Sequence, residues 1–250
     1  MKPITTIDDV IAVLDEIITE SSASQNTLGY FAVLYQKVTL KVKEGIDTGY
    51  FDDGPRMEKL DVVFAKRYID AYYAWRNGQP VTTSWEKAFN LSENKNLLVI
   101  QHLLLGMNAH INLDLGIAAA EISSPSNIDK LEDDFKRINE ILASMVDEVQ
   151  QGLSSIWPFL RKILALLGQI DNFLVDFSMQ IAREGAWKFA CNFVVQSQTA
   201  RPGAIAARDE KVARKTNLIT DPGRFVRFLF LIIRLTERGS VAEKIKKLRR

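Results

Sequence analysis

The segment from Leu97 to Glu121, "LLVIQHLLLGMNAHINLDLGIAAAE", constrains the fold more than any other part of the chain. It is apolar on every side at helical spacing, and a helix of that kind belongs at the centre of a bundle. It nevertheless carries His102, Asn108, His110, Asn112 and Asp114, and both histidines of the 250-residue chain are among them. Burying a polar group without a partner costs about 1–3 kcal/mol. These groups therefore either find partners on neighbouring helices or serve chemistry.

Helical periodicity runs through the rest of the chain. "TTIDDVIAVLDEIITES" offers Thr6 as an N-cap, two acids in the first turn, then Val10, Leu14, Ile17 and Ile18 on one face. "LGYFAVLYQKVTLKVKEGI" places Phe31, Leu34, Tyr35, Val38 and Val42 together, with Gly45 as the expected C-cap. "FDDGPRMEKLDVVFAKRYIDAYYAWRNGQP" opens on a turn, presents Leu60, Phe64, Tyr68, Ala71 and Trp75, and closes at Asn77–Gly78. "TSWEKAFNL" predicts a short helix. After the "SSPSN" break, "DKLEDDFKRINEILASMVDEVQQGLSS" is amphipathic, and the following stretch to Gln196 predicts one or two more helices. "RPG" at 201–203 and "DPG" at 221–223 read as loops around a polar segment. No strand-like alternation, repeat or low-complexity tract appears. The expectation is an all-α fold: a single multi-helix bundle over residues 1–200, with a loop and a basic helical extension over 201–250 packed on the same domain.

Composition narrows the setting. Hydrophobic residues make up 47 % and charged residues 25 %, with a net charge of +1, so no nucleic-acid partner is expected. The one cysteine, Cys191, excludes an internal disulfide framework and a cysteine zinc cluster, and fits a reducing, cytoplasmic compartment. The N-terminus lacks a signal-peptide pattern. Apolar runs such as "FLFLII" at 228–233 are too short to span a bilayer. The terminal "KIKKLRR" is basic and amphipathic; a solvated tail is the default reading, and peripheral contact with an anionic membrane is the alternative.

Residues four apart share a helix face, so His110 pairs with Asp114 and Asn108 with Asn112, on roughly opposite sides of the central helix. His102 lies two turns before His110, a rise of about 12 Å, which makes it a poor co-ligand for one metal. Three readings of His110–Asp114 compete. Asp114 fixes the imidazole tautomer and leaves the other nitrogen as acid or base. Both residues bind a metal with help from Glu184, Asp61 or Asp70. Or the polar groups form a satisfied network that pins helices together. One histidine with scattered acids is a poor zinc set and no "ExxH" motif occurs, so neither metal nor cofactor is expected. Arg183 and Trp187, four apart, are placed at the same centre, with Arg183 either neutralising Asp114 or holding an anionic substrate. The acidic "LEDDF" at 131–135 resembles the aspartate clusters of terpene synthases, but on a charged amphipathic helix it reads as a solvated face.

The succession "FAVLYQKVT", "MEKLDVVFAKRYIDAYYAW", "PVTTSWEKAF", "QHLLLGMNAHINLDLGIA" and "AREGAW" resembles a bacterial family known as domain of unknown function 5995, over about residues 5–195. The "GMNAHINxDL" core is the most specific part. The resemblance implies that Asn108, His110, Asn112, Asp114, Arg183 and Trp187 match the family signature, with Asp61 and Trp85 as weaker matches. It implies no activity.

No nucleophile elbow, glycine-rich phosphate loop or cysteine–histidine arrangement is present. A pocket inside such a bundle suits a small apolar or lipid-like molecule. The expected function is proton transfer or cyclisation of such a molecule, with His110, Asp114 and Arg183 as catalytic residues. Asn108, Asn112, Trp187, Tyr68 and Asp61 are expected to line the substrate. A non-catalytic ligand-binding or scaffold protein is the alternative, and a metal-dependent hydrolase the second.

Overall fold

The computed structural model describes residues 3–145, 153, 156, 157 and 179–250. All regular structure among them is helical, with no strand. The helices expected between residues 146 and 178 lie outside the described residues.

Local sequence sets most of the boundaries. Helix α1 (Ile7–Ala23) opens on a capping box between Thr6 and Asp9. Helix α2 (Leu28–Asp47) runs past the expected stop at Gly45, because that glycine is spent on packing: a Cβ there would meet the Phe51 ring at 2.8 Å. Helix α3 (Gly54–Arg76) starts from the side chain of Asp53 and ends at Asn77, with Gly78 at φ +67°. Helix α4 (Thr83–Leu91) is short. Helix α5 (Val99–Ala109), a single π-turn (His110–Asp114) and helix α6 (Leu115–Glu121) form one continuous rod of 23 residues. By length and composition this rod could cross a bilayer, but 89 % of its most apolar stretch is buried inside the protein, as expected of a core helix.

A 3₁₀ turn (Ile128–Leu131) leads into α7 (Glu132–Ser144), followed by α8 (Met179–Val194), α9 (Arg201–Thr220), α10 (Arg224–Thr236) and α11 (Val241–Arg249). Two expectations fail here. The "RPG" at 201–203 is not a loop but the first turn of α9, where the missing N–H of Pro202 is no loss. The "LEDDF" segment is not a solvated face, since Leu131, Asp134 and Phe135 are buried. Asp134 accepts the backbone N–H groups of Asp52 and Asp53 at 2.8 and 2.9 Å and thereby holds the α2–α3 connection.

The core has two parts, one built mainly on α1 to α5, the other on α6, α7 and α8 with Met57 and Leu60 from the first turns of α3. Phe64 of α3 packs against both and sits where they meet, beside the π-turn. Two glycines let neighbours close on the rod. Gly106 lies directly under the Phe31 ring of α2, and a Cβ on Gly116 would stand 2.6 Å from the Ala186 carbonyl oxygen of α8. A flexible side chain can give way, but a helix backbone cannot. Gly116→Ala should therefore lower the unfolding free energy by about 1–3 kcal/mol, read as a drop in melting temperature; a variant that melts with the parent would show that α8 does not press on the rod here.

Candidate functional site

Asp114 is 1 % exposed and its carboxylate is fully engaged. Arg67 Nε donates to Oδ1 at 2.9 Å, Trp85 Nε1 donates to Oδ2 at 2.8 Å, and His110 Nδ1 lies 3.3 Å from the same Oδ2. These donors come from α3, α4 and the π-turn itself. The arrangement favours the tautomer with a proton on Nδ1 and a free lone pair on Nε2. Burial lowers the His110 pKa below the ordinary imidazole value; the bond to Asp114 opposes that drop and Arg67 adds to it. The ring is neutral at pH 7.

His110 is enclosed by aromatic rings. Phe64 stacks on it with centroids 3.6 Å apart, and Tyr35 meets it edge-on at 4.5 Å. Phe31, Tyr68 and Trp85 complete the cage at 5.8 to 6.0 Å. The helical register of α3 explains part of this, since Asp61, Phe64 and Tyr68 share one face at spacings of three and four. Four polar atoms in this neighbourhood are buried with no hydrogen-bond partner among the described residues: His110 Nε2, Tyr35 Oη, Tyr68 Oη and one oxygen of Asp61. Burial pushes the Tyr35 hydroxyl well above its ordinary pKa, with Asp61, Asp114 and Tyr68 adding to the shift, so those groups share one electrostatic environment. Burial likewise raises Tyr68. Asp61 is pushed up to about 7, first by burial and then by Glu58. Beside the cage, Thr27, Phe31, Tyr68, Trp85, His102 and Gly106 help to line a cavity of about 20 Å³, room for about one water.

The other expected site residues are placed elsewhere. Asn108 donates to the Val212 carbonyl at 3.0 Å and Asn112 donates to Asn108 at 3.2 Å. Lys215 Nζ donates to the Asn112 side-chain oxygen at 3.0 Å, and Arg208 Nε to the Asn112 carbonyl at 2.7 Å. This pair thus latches α9 on the side of the rod away from His110, and is not drawn into the aromatic cage. Arg183 does not neutralise Asp114; Arg67 does. Arg183 instead lies over the Phe135 ring, 4.6 Å from its centroid, and donates to Asn139 and the Phe135 carbonyl, each at 2.6 Å. Burial holds its pKa below the ordinary guanidinium value. Trp187 packs on the same Phe135, with centroids 4.9 Å apart. Helix α8 packs along α6 and the π-turn, but Arg183 and Trp187 point to Phe135 of α7, while Asp114 faces α3 and α4. Asp61 and Tyr68 do belong to the His110 neighbourhood. His102 stands apart, 3.4 Å from the Thr27 hydroxyl, with burial lowering its pKa to about 4. No group of three or more potential metal ligands occurs among the described residues.

Sequence reasoning missed Arg67, Tyr35 and the π-turn. Arg67 could have been found from its place beside Phe64 and Tyr68 on α3, since a buried carboxylate calls for a cation on a facing helix. The π-turn has no composition signal. Turns of this kind often occur at functional sites.

A comparison with family models matches residues 7–222 to a family of unknown function, DUF5995. The chain belongs to DUF5995. No curated protein and no solved structure matches it. The DUF5995 match extends through α9, further than the resemblance over residues 5–195 implied, and stops before α10. That limit agrees with the geometry, because α9 supplies the partners of Asn108 and Asn112 and is integral to the domain.

Two measurements test this arrangement. Asn112→Leu leaves Lys215 and Asn108 without their partner and should cost about 1–3 kcal/mol in a thermal-melt series; a neutral result would place this face against solvent. Asp61 holds a proton in the folded protein that the unfolded chain releases at ordinary carboxylate pH. Its stabilising contribution is therefore full below about pH 4 and is lost as the pH rises through about 7. Relative to Asp61→Asn, the parent should lose on the order of a few kcal/mol of stability across that window. A constant difference would show that Asp61 is solvated.

Proposed function

We propose that this protein is an acid–base enzyme acting on a small, largely apolar or lipid-like molecule that carries one polar group, with His110 as the proton-transfer residue. The observation that supports this most is the unpaired Nε2 of His110, buried beside the unpaired hydroxyls of Tyr35 and Tyr68 and the unpaired oxygen of Asp61. A purely structural network of buried groups satisfies its members. Four unpaired atoms in one aromatic neighbourhood, at about 1–3 kcal/mol each, mark a place suited to an added polar group.

Each residue has a role that follows from its surroundings. Neutral His110 takes a proton from the substrate at Nε2 while Asp114, steadied by Arg67 and Trp85, stabilises the imidazolium that results. Tyr35 and Tyr68 keep their protons because burial raises both, so they donate hydrogen bonds to an oxygen that gains charge. Asp61, near half-protonation at neutral pH, is suited to return a proton. Phe31, Phe64 and Trp85 supply the apolar walls and exclude water. On this reading the molecule enters from the side of the small cavity beside Tyr68, where α2, α4 and α5 meet.

Saturation of both Asp114 oxygens also favours a second reading, in which the dyad only clamps α3 and α4 to the rod. The two readings separate in one experiment. Metabolite extracts incubated with the parent and with His110→Gln are compared by mass spectrometry, and both proteins are melted. The expected outcome is a metabolite consumed by the parent alone, with the variant melting close to the parent and His102→Gln retaining activity. Equal turnover by His110→Gln, or its unfolding, favours the clamp.

A further inference from the structure

Helix α10 is apolar on two opposite faces. Ile233 is 3 % exposed and Phe230 packs with it on the core, yet Phe228, Leu231, Ile232 and Leu235 are 58, 61, 37 and 81 % exposed on the other side. At about 100° per residue these four fall within a stripe roughly 100° wide. A surface helix needs one apolar face; the second has no covering within the described protein. Arg227 and Arg234 flank the stripe on one side, and Arg224 stands at its start. From Arg224 to the C-terminus the chain holds nine Lys and Arg against Glu237 and Glu243, a net of +7 in a protein whose total is +1. Arg224, Arg238, Lys246 and Arg250 are exposed and in no ion pair among the described residues. The stretch lies outside residues 7–222, so the α10 stripe is not part of what defines the family domain.

We propose that α10, assisted by α11, is a docking surface for an anionic lipid bilayer, with Phe228, Leu231, Ile232 and Leu235 entering the interface and the surrounding cations meeting lipid phosphates. An exposed apolar stripe edged by arginines is what an interfacial helix requires, and an anionic surface attracts each nearby cation. A second copy is a poorer occupant. A symmetric antiparallel pair would bring Arg224 of one copy towards Arg238 of the other at both ends of the apolar centre, a like-charge contact. The α10–α11 corner is firmly held: buried Glu237 accepts from Trp157 Nε1 at 2.8 Å and from the first backbone N–H of α5 at 3.3 Å, and pairs with Lys244. The stripe is therefore presented on a fixed mount. The inference is independent of the chemistry proposed for His110.

The full chain is sedimented at low salt with phosphatidylcholine vesicles and with vesicles containing phosphatidylglycerol. The expected result is capture by the anionic vesicles alone, released by added salt. Leu231→Glu with Leu235→Glu should abolish capture and leave the melting temperature unchanged, since both side chains are exposed. Arg224→Gln with Arg238→Gln should weaken capture, and Leu235→Trp should show a blue-shifted emission on vesicle addition, which keeps the test independent of the glutamate pair. Absence of capture, capture that survives the glutamate pair, or a dimer by light scattering that the same pair dissolves, each overturns the proposal.

Discussion

The carboxylate of Asp114 is the point on which the rest of the bundle depends. A carboxylate this deep is tolerated only if both of its oxygens are hydrogen-bonded and a cation stands close by. Arg67, Trp85 and His110 meet that demand from three directions. In doing so they fix α3 and α4 against the central rod and set the plane of the imidazole. Removing one partner would leave a charge stranded in the core, whereas removing the whole set would leave space that apolar side chains could fill.

Around that rod, polar residues that look alike in sequence do different work. His110 and Asp114 face the aromatic half of the core. Asn108 and Asn112 face α9 and exchange bonds with Arg208, Val212 and Lys215. Arg183 and Trp187, placed by the sequence at the same centre, instead tie α8 to α7 through Phe135. These residues thus hold three separate junctions, two on the rod and one between α8 and α7, and among their described side chains only His110 carries an unpaired buried atom. Phe64 links the halves, since it packs against both parts of the core and stacks on the imidazole.

The legible features were those that depend on local period. The apolar rod, the opposed His–Asp and Asn–Asn faces, the Thr6 cap and the stop at Asn77–Gly78 all follow from spacing of three and four and from cap chemistry. What escaped depends on encounters between distant segments. Nothing in "AREGAW" tells that Arg183 meets Phe135 rather than Asp114, and "KRYID" points to Arg67 only through the face it shares with Phe64 and Tyr68. Asp134 reads as one acid among several until the Asp52 and Asp53 amides are placed beside it. Pro202 reads as a loop residue because its helix-starting use looks the same in sequence.

The partners that α9 supplies come late in the chain. Gln101 donates to the Ile219 carbonyl, Asn108 to that of Val212, and the first amides of α4 are capped by Asp209, some 125 residues downstream. A ribosome-bound chain that has exposed only α1 to α6 holds the apolar rod and its polar side chains with none of these partners in reach. Closing such distant contacts is slow, and an incomplete core exposes apolar surface while it waits. With α2, α3 and α4 already made, only the face of the rod that α9 covers would stay open, and it would close once residue 220 has emerged.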